Sequence, residues 1–323
     1  RMLRVYSANL DQGHEFSVPH VLDARTRGDW TDYVVGVAQQ LARRGYTLDG
    51  INLVIHSTVP VGSGLSSSAA IEVATALALL AGRSIDKTEL ASLCQTAERE
   101  FVGMPCGIMD QYVCLHGAPG AAVRIDCRSV THELVRLPEQ VSVIAVNSMV
   151  KHELSGSAYR DRVRECTEAV AAIRQRRPDV QSLRDVRSAE LGQFRRAIPE
   201  IPWRRARHVT TENERVEQFR AASDRLDLVL MGKLFIASHR SLQHDYQVSC
   251  PELDFLVDTA LALDGVYGAR MTGGGFGGCT VNLVRTDAVD TFAERIRAEY
   301  RRKYAIEAPV YRCIPAAGAC ELT

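Results

Sequence analysis

Three consecutive serines follow two closely spaced glycines within residues 60–70, where the residue types suit phosphate binding. Gly62 and Gly64 carry no side chain that could block an approaching anion. The hydroxyls of residues 66–68 can cap a helix, hydrogen-bond phosphate oxygens or ligate magnesium. The alternative is a serine-capped helix after an ordinary turn, but three serines exceed what one cap needs. The pattern therefore favours a phosphate-binding loop.

Two well-known glycine motifs fit this serine loop poorly. The dinucleotide-binding fingerprint requires a third glycine where Ser67 stands. The Walker A motif requires a lysine before its serine or threonine, and residues 60–70 contain no lysine. Hydride chemistry with a dinucleotide is therefore a poor fit, and so is a Walker-type phosphate loop.

A strand and a helix are predicted on the two sides of the serine loop. Residues 51–59 alternate apolar and polar side chains, as half-buried strands do. Residues 69–80 are rich in Ala and Leu and lack Pro and Gly, which predicts a buried helix. The free amides at a helix N-terminus attract anions, so this order of elements places a phosphate at the start of the helix.

A second glycine-rich segment, residues 272–278, lies between two predicted strands, residues 266–271 and 279–284. It could be a flexible hairpin turn, although such turns need one or two glycines rather than five. A linker would be polar and would not contain Phe276. We expect this segment to let backbone approach a ligand closely, and both glycine-rich segments to face one bound molecule.

Two carboxylates near a Pro/Gly turn are further candidates. Asp110 lies early in a predicted helix, residues 108–115, and Glu98 lies on the preceding predicted helix, residues 86–101. Taken alone, Asp110 is typical of a favourable charge at a helix N-terminus, and Glu98 of a solvated surface carboxylate.

Composition restricts the function classes. Lys plus Arg and Asp plus Glu number 39 each, so the formal net charge is +0, and broad attraction to nucleic acid or anionic membrane is not expected. The basic residues 204–207 are followed by Glu212 and Glu214, which predicts a solvated helix face. The apolar run at residues 69–81 is interrupted by Glu72 and is too short to span a bilayer.

The nine cysteines are scattered, with no Cys-x-x-Cys pair, and no histidine pair has zinc-finger spacing. Thiols in a reducing cytoplasm fit this usage best. No secretory signal precedes the first predicted strand. The first residue is Arg1 rather than methionine, and a strand pattern starts at once, so we expect the chain to begin inside a longer protein.

Strands and helices alternate without a regular βαβ rhythm, which predicts an α+β fold. The length of 323 residues suggests two domains, and Pro138 marks the candidate boundary between residues 1–139 and 140–323. In the first half, a further helix is predicted near residues 31–43. In the second half, charged helices are predicted at residues 159–176, 188–196, 211–224 and 226–243, with others at 250–263 and 288–304.

Several segments together resemble the galactokinases, a branch of the GHMP small-molecule kinase family. They are residues 60–70, 106–111, 126–129, 147–159, 205–208, 238–242 and 265–279. The serine loop and the second glycine cluster match the wider family, whereas residues 106–111 and 270–279 match the galactokinases specifically. The resemblance, which starts near Tyr6, implies an N-terminal domain like domain 2 of ribosomal protein S5 and a ferredoxin-like α/β-plait C-terminal domain.

The resemblance also implies roles for single residues, with Asp110 as the catalytic residue beside the anomeric hydroxyl of the sugar. The implied metal ligands are Ser66, Ser68 and Glu98. The implied ATP contacts are Trp30 and Tyr33 at the adenine, and Gly62, Ser63, Gly64, Leu65, Ser66, Ser67 and Ser68 at the phosphates. The implied sugar contacts are Gly107, Asp110, Tyr159, Gly273, Gly274 and Gly275. Core packing is an equal alternative for the two aromatic residues, and the charge of Lys151 would suit a phosphate.

The implied reaction moves the γ-phosphate of ATP to the C1 hydroxyl of α-D-galactose, with Mg²⁺ as the cofactor. Asp110 would take or hold the hydroxyl proton, and an ordinary carboxylate, with a reference pKa of about 3.9, needs no unusual tuning to be ionised at neutral pH. We expect ATP and galactose as partners, no nucleic acid or membrane, and a cytoplasmic monomer.

Alternatives remain open within and outside this class. Another GHMP kinase could act on a different sugar, on mevalonate or on homoserine. A non-catalytic sensor of galactose and ATP, or an inactive fragment, could keep the fold, although the intact serine motif at residues 66–70 favours an enzyme. The galactokinase opening segment Gly-Glu-His-Thr-Asp-Tyr does not occur in the sequence, which supports the expected N-terminal truncation.

Overall fold

The computed structural model describes residues 1–151 and 155–322 of the chain. It divides into two compact units. Unit 1 comprises Arg1–Leu134 together with the chain from Pro315, and unit 2 comprises Val135–Ile314. The predicted family domains, residues 1–139 and 140–323, stay a prediction. None of the helices in the described residues is long and apolar enough to cross a membrane.

Unit 1 places helices against a small sheet of mixed direction. Its strands follow the order β2-β1-β3, with β1 antiparallel to β2 and parallel to β3, and β4 pairs with β5. The elements are β1 Met2–Ser7, β2 Gln12–Ser17, a 3-10 helix Val18–Asp23, α1 Thr31–Arg43, β3 Ile51–Ile55, α2 Ser67–Leu80, α3 Lys87–Thr96, a π-helical turn Ala97–Val102, α4 Met109–His116, β4 Ala121–Asp126 and, running past Leu134, β5 Thr131–Arg136.

The core of unit 1 explains why its helices form where they do. Helix α1 buries a continuous apolar stripe that includes Val34, Val37 and Leu41, which matches the 3.6-residue period. Helix α2, apolar on nearly every side, packs into the same core. The chain from Pro315 adds Ala319, whose N–H donates to the carbonyl of Cys114 at 2.7 Å. The C-terminal segment therefore packs against helix α4.

Unit 2 is built on a four-stranded antiparallel sheet in the order β7-β8-β6-β9. Its elements are β6 Val141–Lys151, α5 Ser155–Arg174, a 3-10 turn Leu183–Asp185, α6 Ser188–Leu191, a 3-10 turn Gly192–Phe194, α7 Glu200–Asp224, α8 Leu228–Ser241, a π-helical turn Leu242–Tyr246, α9 Pro251–Leu261, β7 Val266–Met271, β8 Gly277–Arg285, a 3-10 turn Thr286–Ala288, α10 Val289–Tyr304 and β9 Val310–Cys313.

The strand order and the connections of this sheet are those of a ferredoxin-like plait. Helix α9 precedes β7 and helix α10 joins β8 to β9, which gives the split βαβ arrangement. Val257 and Phe292 of these two helices pack on Ile144 and Val284 of the sheet. The expected α+β class and C-terminal plait are confirmed.

The opposite face of this sheet is covered by α7 and α8. Their side chains, including Phe219 and Met231, pack with Leu283 of β8. Helix α8 packs very closely against β7 at Gly232. A Cβ at this position would lie 1.9 Å from the carbonyl oxygen of Tyr267. A third, separate hydrophobic cluster contains Ile173 of α5 together with residues of α6, of α7 and of the turns between them.

Several predicted boundaries were wrong. Helix α7 begins at Glu200 rather than at residue 211. Pro202 is tolerated because it lies in the first turn, where the missing amide costs no hydrogen bond. The second predicted charged helix shortens to α6 and a 3-10 turn. Strand β5 was not predicted, since its polar and largely exposed side chains carry no buried pattern.

Candidate active site

The serine loop is accessible, and its glycines adopt backbone conformations that other residues rarely adopt. Gly62 and Gly64 have φ angles of 69° and 78°, in the left-handed region that favours glycine. Both are exposed, and a Cβ on Gly62 would meet no atom within 4 Å. The glycines are therefore required here by backbone geometry, while the open space around Gly62 leaves room for a ligand.

Hydroxyls within the loop stabilise its turn. The buried Ser63 hydroxyl donates to the carbonyl oxygen of Pro60 at 2.9 Å. The N–H of Gly62 donates to Oγ of Ser67 at 3.4 Å. Leu65, Ser66, Ser67 and Ser68 are all half-buried. These local hydrogen bonds therefore stabilise the loop, and α2 begins directly at its end.

Ser66 occupies the N-cap position of α2 without capping it. Its φ of 60° is left-handed, and its side chain makes no cap hydrogen bond. The hydroxyl instead lies near the carboxylate of Asp110, and hydrogen bonding from Ser66 lowers the pKa of that carboxyl. The alternative of an ordinary serine-capped helix is therefore not what the described residues show, and the first amides of α2 keep their capacity to bind an anion.

Asp110 lies in the first turn of α4 and is half-buried. Burial raises the pKa of this carboxyl above its ordinary value, while the hydrogen bond from Ser66 acts in the opposite direction. The sequence indicated an ordinary carboxylate, whereas the structure shows one whose proton affinity is increased. A carboxylate of this kind is a stronger base toward a hydroxyl group.

Glu98 lies on the π-helical turn and is only 7% exposed, so its interpretation as a solvated surface carboxylate was wrong. Its Oε2 accepts a hydrogen bond of 2.6 Å from Nε2 of Gln111. The same nitrogen donates to Oε2 of the fully buried Glu72 at 3.0 Å. Burial, followed by the charge of Glu98, raises the pKa of Glu72 to about 9. Two carboxyl groups and one amide thus form a buried polar cluster.

The carboxylates of this cluster raise the pKa values of neighbouring groups. Burial and then the charge of Glu98 raise the pKa of the Cys106 thiol to about 12, and hydrogen bonding to Glu98 acts in the same direction. Burial, followed by the charges of Glu98 and Glu72, raises the pKa of Tyr33. A cation near Glu98 would therefore meet a favourable potential.

The donor chemistry around the serine loop fits a magnesium ion. Hydroxyl and carboxylate oxygens are the ligands that Mg²⁺ prefers, and it typically takes one or two carboxylates together with substrate phosphates. Glu98 supplies such a carboxylate, and Ser66 and Ser68 supply hydroxyls. In the described part of the chain, no three His, Cys, Asp or Glu side chains are grouped as a metal site. The residues therefore fit a nucleotide-borne cation.

The two aromatic candidates lie in unit 1. Trp30 is half-buried, packs against the core, and faces His14 edge to face at a centroid distance of 6.0 Å. Its indole Nε1 is buried without a hydrogen-bond partner among the described residues. Tyr33 lies beside the carboxylates of Glu98 and Glu72. Both alternatives, adenine contact and core packing, stay open for Trp30.

The second glycine cluster forms the hairpin loop between β7 and β8. Gly273 and Gly275 have φ angles of 74° and 87°. A Cβ on Gly275 would lie 2.2 Å from the carbonyl oxygen of Val248, whereas one on Gly274 would meet nothing within 4 Å. Close backbone packing therefore explains Gly275, while Gly274 faces open space.

The remaining predicted sugar contacts are also accessible. Gly107, in unit 1, is exposed, and a Cβ at this position would meet no atom within 4 Å. Tyr159, on α5 of unit 2, is 37% exposed. The side chain of Lys151 lies outside the described residues. The structure brings Ser66, Asp110 and, through Gln111, Glu98 together in unit 1.

The basic segment at residues 204–207 was interpreted incorrectly as a solvated face. Arg205 is 2% exposed and donates to Glu165 at 2.6 Å, to the carbonyl oxygen of Asp245 at 2.5 Å and to Gln247 at 2.9 Å. Burial of a guanidinium requires such partners, since an unpaired buried charge is costly. This network joins α5 and α7 to the chain that follows α8.

Sequence reasoning missed three buried polar residues. Glu72 had a signal, because it interrupts an apolar run, but that interruption was used only to exclude a membrane span. Gln111 follows Asp110 directly and had no signal of its own. Arg205 was hidden among neighbouring charged residues.

Two family models match the chain. Residues 32–118 match the GHMP kinases N terminal domain, and residues 219–302 match the GHMP kinases C terminal domain. The first match includes the serine loop, Glu98 and Asp110, and it therefore covers the polar cluster of unit 1. The second includes the glycine hairpin of unit 2.

Known proteins resemble the chain over most of its length. It is 43% identical to a galactokinase of Roseiflexus sp. (strain RS-1), covering 97% of this chain and 80% of that protein. It is 46% identical to the galactokinase of Homo sapiens, covering 84% and 68% respectively. A crystal structure of Lactococcus lactis galactokinase complexed with galactose matches with a TM-score of 0.93 and 33% identity, covering 99% of this chain and 84% of that one. The chain belongs to the galactokinases of the GHMP kinase family.

Proposed function

We propose that the chain transfers the γ-phosphoryl group of ATP to the C1 hydroxyl of α-D-galactose, giving ADP and galactose 1-phosphate. The observation that carries this proposal is the proximity of the Ser66 hydroxyl, at the open start of α2, to the carboxylate of Asp110. It places a carboxylate of increased proton affinity beside a helix N-terminus suited to phosphate. The galactokinase relatives support galactose as the acceptor.

Asp110 acts on the acceptor hydroxyl. As the oxygen on C1 forms a bond to the γ-phosphorus, its proton passes to Asp110, and the bond from phosphorus to the β-γ bridging oxygen breaks. The pKa of Asp110 is raised by burial, which strengthens the ionised carboxylate as an acceptor for that proton. The electron pair of the broken bond leaves with ADP.

The start of α2 holds the phosphates. Gly62 and Gly64 leave the loop backbone exposed, and the amides of residues 67–69 point along the helix dipole toward the anion. Because these groups are fixed before the substrate arrives, they can stabilise negative charge that develops during transfer without reorganising.

Magnesium is proposed as the cofactor, held by Glu98 and by Ser66 or Ser68. When bound, it supplies positive charge that neutralises the phosphate oxygens. Within the chain, Gln111 holds the Glu98 carboxylate ready for this purpose.

The finer assignments remain part of the proposal. Trp30 and Tyr33 contact adenine, and Ser63, Leu65 and Ser67 shape the phosphate loop. On the sugar side, the proposed contacts are Gly107, Tyr159, Gly273, Gly274 and Gly275. We further propose a cytoplasmic monomer without nucleic-acid or membrane partners, supported by the balanced charge and by nine cysteines that form no disulfide.

The test is a substrate panel on the purified chain with Mg²⁺ and ATP. Galactose should yield a sugar 1-phosphate detectable by ³¹P NMR, whereas mevalonate and homoserine should not react. Asp110→Asn should lower kcat by roughly 10²–10⁴-fold. Asp49→Asn, at a side chain that is 79% exposed, is the matched control and should retain wild-type turnover. Turnover of Asp110→Asn within a few-fold of wild type would contradict the role of Asp110.

A further inference from the structure

Gln111 links two buried carboxyl groups through one nitrogen. It is fully buried, and its Nε2 donates to Glu98 at 2.6 Å and to Glu72 at 3.0 Å. Burying two carboxyls close together is unfavourable unless donors compensate. The amide of Gln111 supplies such donors, so its side chain has a defined orientation that a merely apolar residue could not reproduce.

The three residues come from the three elements that carry the proposed chemistry. Glu72 is on α2, which begins at the serine loop; Glu98 is on the π-helical turn; and Gln111 follows Asp110 on α4. The Gln111 amide therefore joins the phosphate loop helix, the proposed metal ligand and the helix of the proposed base. A change in this one side chain would reach the Glu98 carboxylate directly.

We propose that Gln111 is a positioning residue, anchored on Glu72, that orients the Glu98 carboxylate toward a nucleotide-bound divalent cation. This inference rests on the proposed function. A ligating carboxylate that is itself hydrogen-bonded loses less conformational entropy on binding, and loss of such outer partners typically lowers metal affinity 10–100-fold. The role of Gln111 is distinct from catalysis, since it is buried and acts through Glu98.

The test measures cation binding without turnover. Mn²⁺ is titrated into the full chain with saturating ADP and followed by electron paramagnetic resonance. Gln111→Met keeps the side-chain length but removes both hydrogen bonds, and it should weaken Mn²⁺ binding by about 10-fold or more. The matched control is Gln39→Met, because Gln39 is 4% exposed and donates to the carbonyl oxygens of Val21 and Leu22, away from the carboxyl cluster. The control should bind Mn²⁺ like wild type.

A second variant and a wild-type measurement guard against misfolding of Gln111→Met. Gln111→Asn retains a buried amide on a shorter side chain and should also weaken Mn²⁺ binding. In the wild-type chain, the side-chain amide resonance of Gln111 should shift when Mg²⁺ is added to the ADP complex. Unchanged Mn²⁺ affinity in a folded Gln111 variant, or an unmoved amide resonance, overturns the inference.

Failure of this inference is distinguishable from failure of the proposed function. If wild type phosphorylates galactose and binds Mn²⁺ with ADP, but folded Gln111 variants bind it equally well, only the positioning role falls. If wild type neither binds Mn²⁺ with ADP nor forms a sugar phosphate, the proposed function falls and takes this inference with it.

Discussion

The hydroxyl of Ser66 lies near the carboxylate of Asp110, so the start of α2 meets the first turn of α4. Ser66 holds a left-handed backbone conformation to reach this position. The contact lowers the pKa of Asp110 against the opposing and larger effect of burial. Ser66 therefore adjusts the proton affinity of the proposed base.

Removing the Ser66 hydroxyl should move the pH dependence of catalysis. The pKa of Asp110 should rise further, so a smaller fraction of the carboxylate is ionised on the acidic side. The acidic limb of kcat/KM should therefore shift to higher pH, with activity falling more at acidic than at alkaline pH. Ser66→Gly is the preferred variant, because glycine tolerates the positive φ.

Two comparisons isolate this effect. Ser66→Ala also lacks the hydroxyl but keeps the Cβ that serine already carries at this positive φ, so it should show the same pH shift with lower stability than Ser66→Gly. Ser67→Ala removes a loop hydroxyl that accepts from Gly62, and its acidic limb should coincide with that of wild type. An acidic limb that stays in place in both Ser66 variants would mean that this hydrogen bond does not adjust the pKa of the base.

The sequence located the parts of this site but not their contacts. Local patterns and the family resemblance identified the serine loop and Asp110, because glycines, serines and a helix start lie together in the chain. The contact of Ser66 with Asp110 and the burial of Glu98 depend on how helices pack, which no local pattern records. Arg205 shows the same limit, because its neighbours in the sequence are charged, whereas its side chain is buried in the folded protein.

Some elements of the fold were likewise predicted from local sequence patterns, whereas others were not. Helix α1 was predicted with its observed bounds, because its apolar period and its boundary residues agree. The first half of α7 was missed, since charged residues and Pro202 obscure its start. Strand β5 is polar and mostly exposed, so pairing with β4 rather than burial determines it.

Glu72 should make stability depend on pH. Its pKa is raised from 4.5 to about 9 in the native state by burial and by Glu98. Between these values the native protein retains a proton that the unfolded chain releases, so the free energy of unfolding decreases as pH rises. Glu72→Gln is neutral at every pH and should lose this dependence. Its stability relative to wild type should therefore increase with pH, by up to about 1.4 kcal/mol per pH unit.

Urea unfolding followed by circular dichroism at about pH 5, 7 and 9 measures this difference. Glu72→Gln and wild type should be closest at the acidic end and diverge toward the alkaline end. Parallel curves for the two proteins would show that Glu72 is not protonated in the native state.

Alanine substitutions at the adjacent Gly274 and Gly275 should distinguish a packing role from a ligand contact. Gly275→Ala places a methyl group 2.2 Å from the carbonyl oxygen of Val248 at a φ of +87°. It should lower the free energy of unfolding by about 2 kcal/mol or more. Gly274→Ala meets nothing within 4 Å and should change stability by less than about 0.5 kcal/mol.

Activity then tests the proposed sugar role of this loop. If the backbone at Gly274 approaches the substrate, Gly274→Ala should raise KM for galactose while its melting temperature stays at the wild-type value. A Gly274→Ala enzyme with unchanged KM and kcat would assign the loop to packing alone.

Arg205 should be among the most sensitive positions of unit 2. Its guanidinium is buried and paired with Glu165, so Arg205→Met breaks that pair, leaves Arg162 as the ionic partner of Glu165, and removes the donors to Asp245 and Gln247. Breaking a buried ion pair on one side typically costs about 3–5 kcal/mol, so we expect a loss of that size in the free energy of unfolding. Urea titration of the variant against wild type measures it.

A double variant tests whether the cost arises from the broken Arg205–Glu165 ion pair or from lost packing. Arg205→Met with Glu165→Met removes both charges together, and it should be less destabilised than the sum of the two single variants. Arg164→Met, in an exposed pair with Glu168 on the same helix as Glu165, should leave the unfolding midpoint nearly unchanged. Strictly additive effects of the two buried substitutions would instead mean that Arg205 stabilises α5 and α7 through its hydrocarbon stem, because charge pairing alone requires the two positions to be coupled.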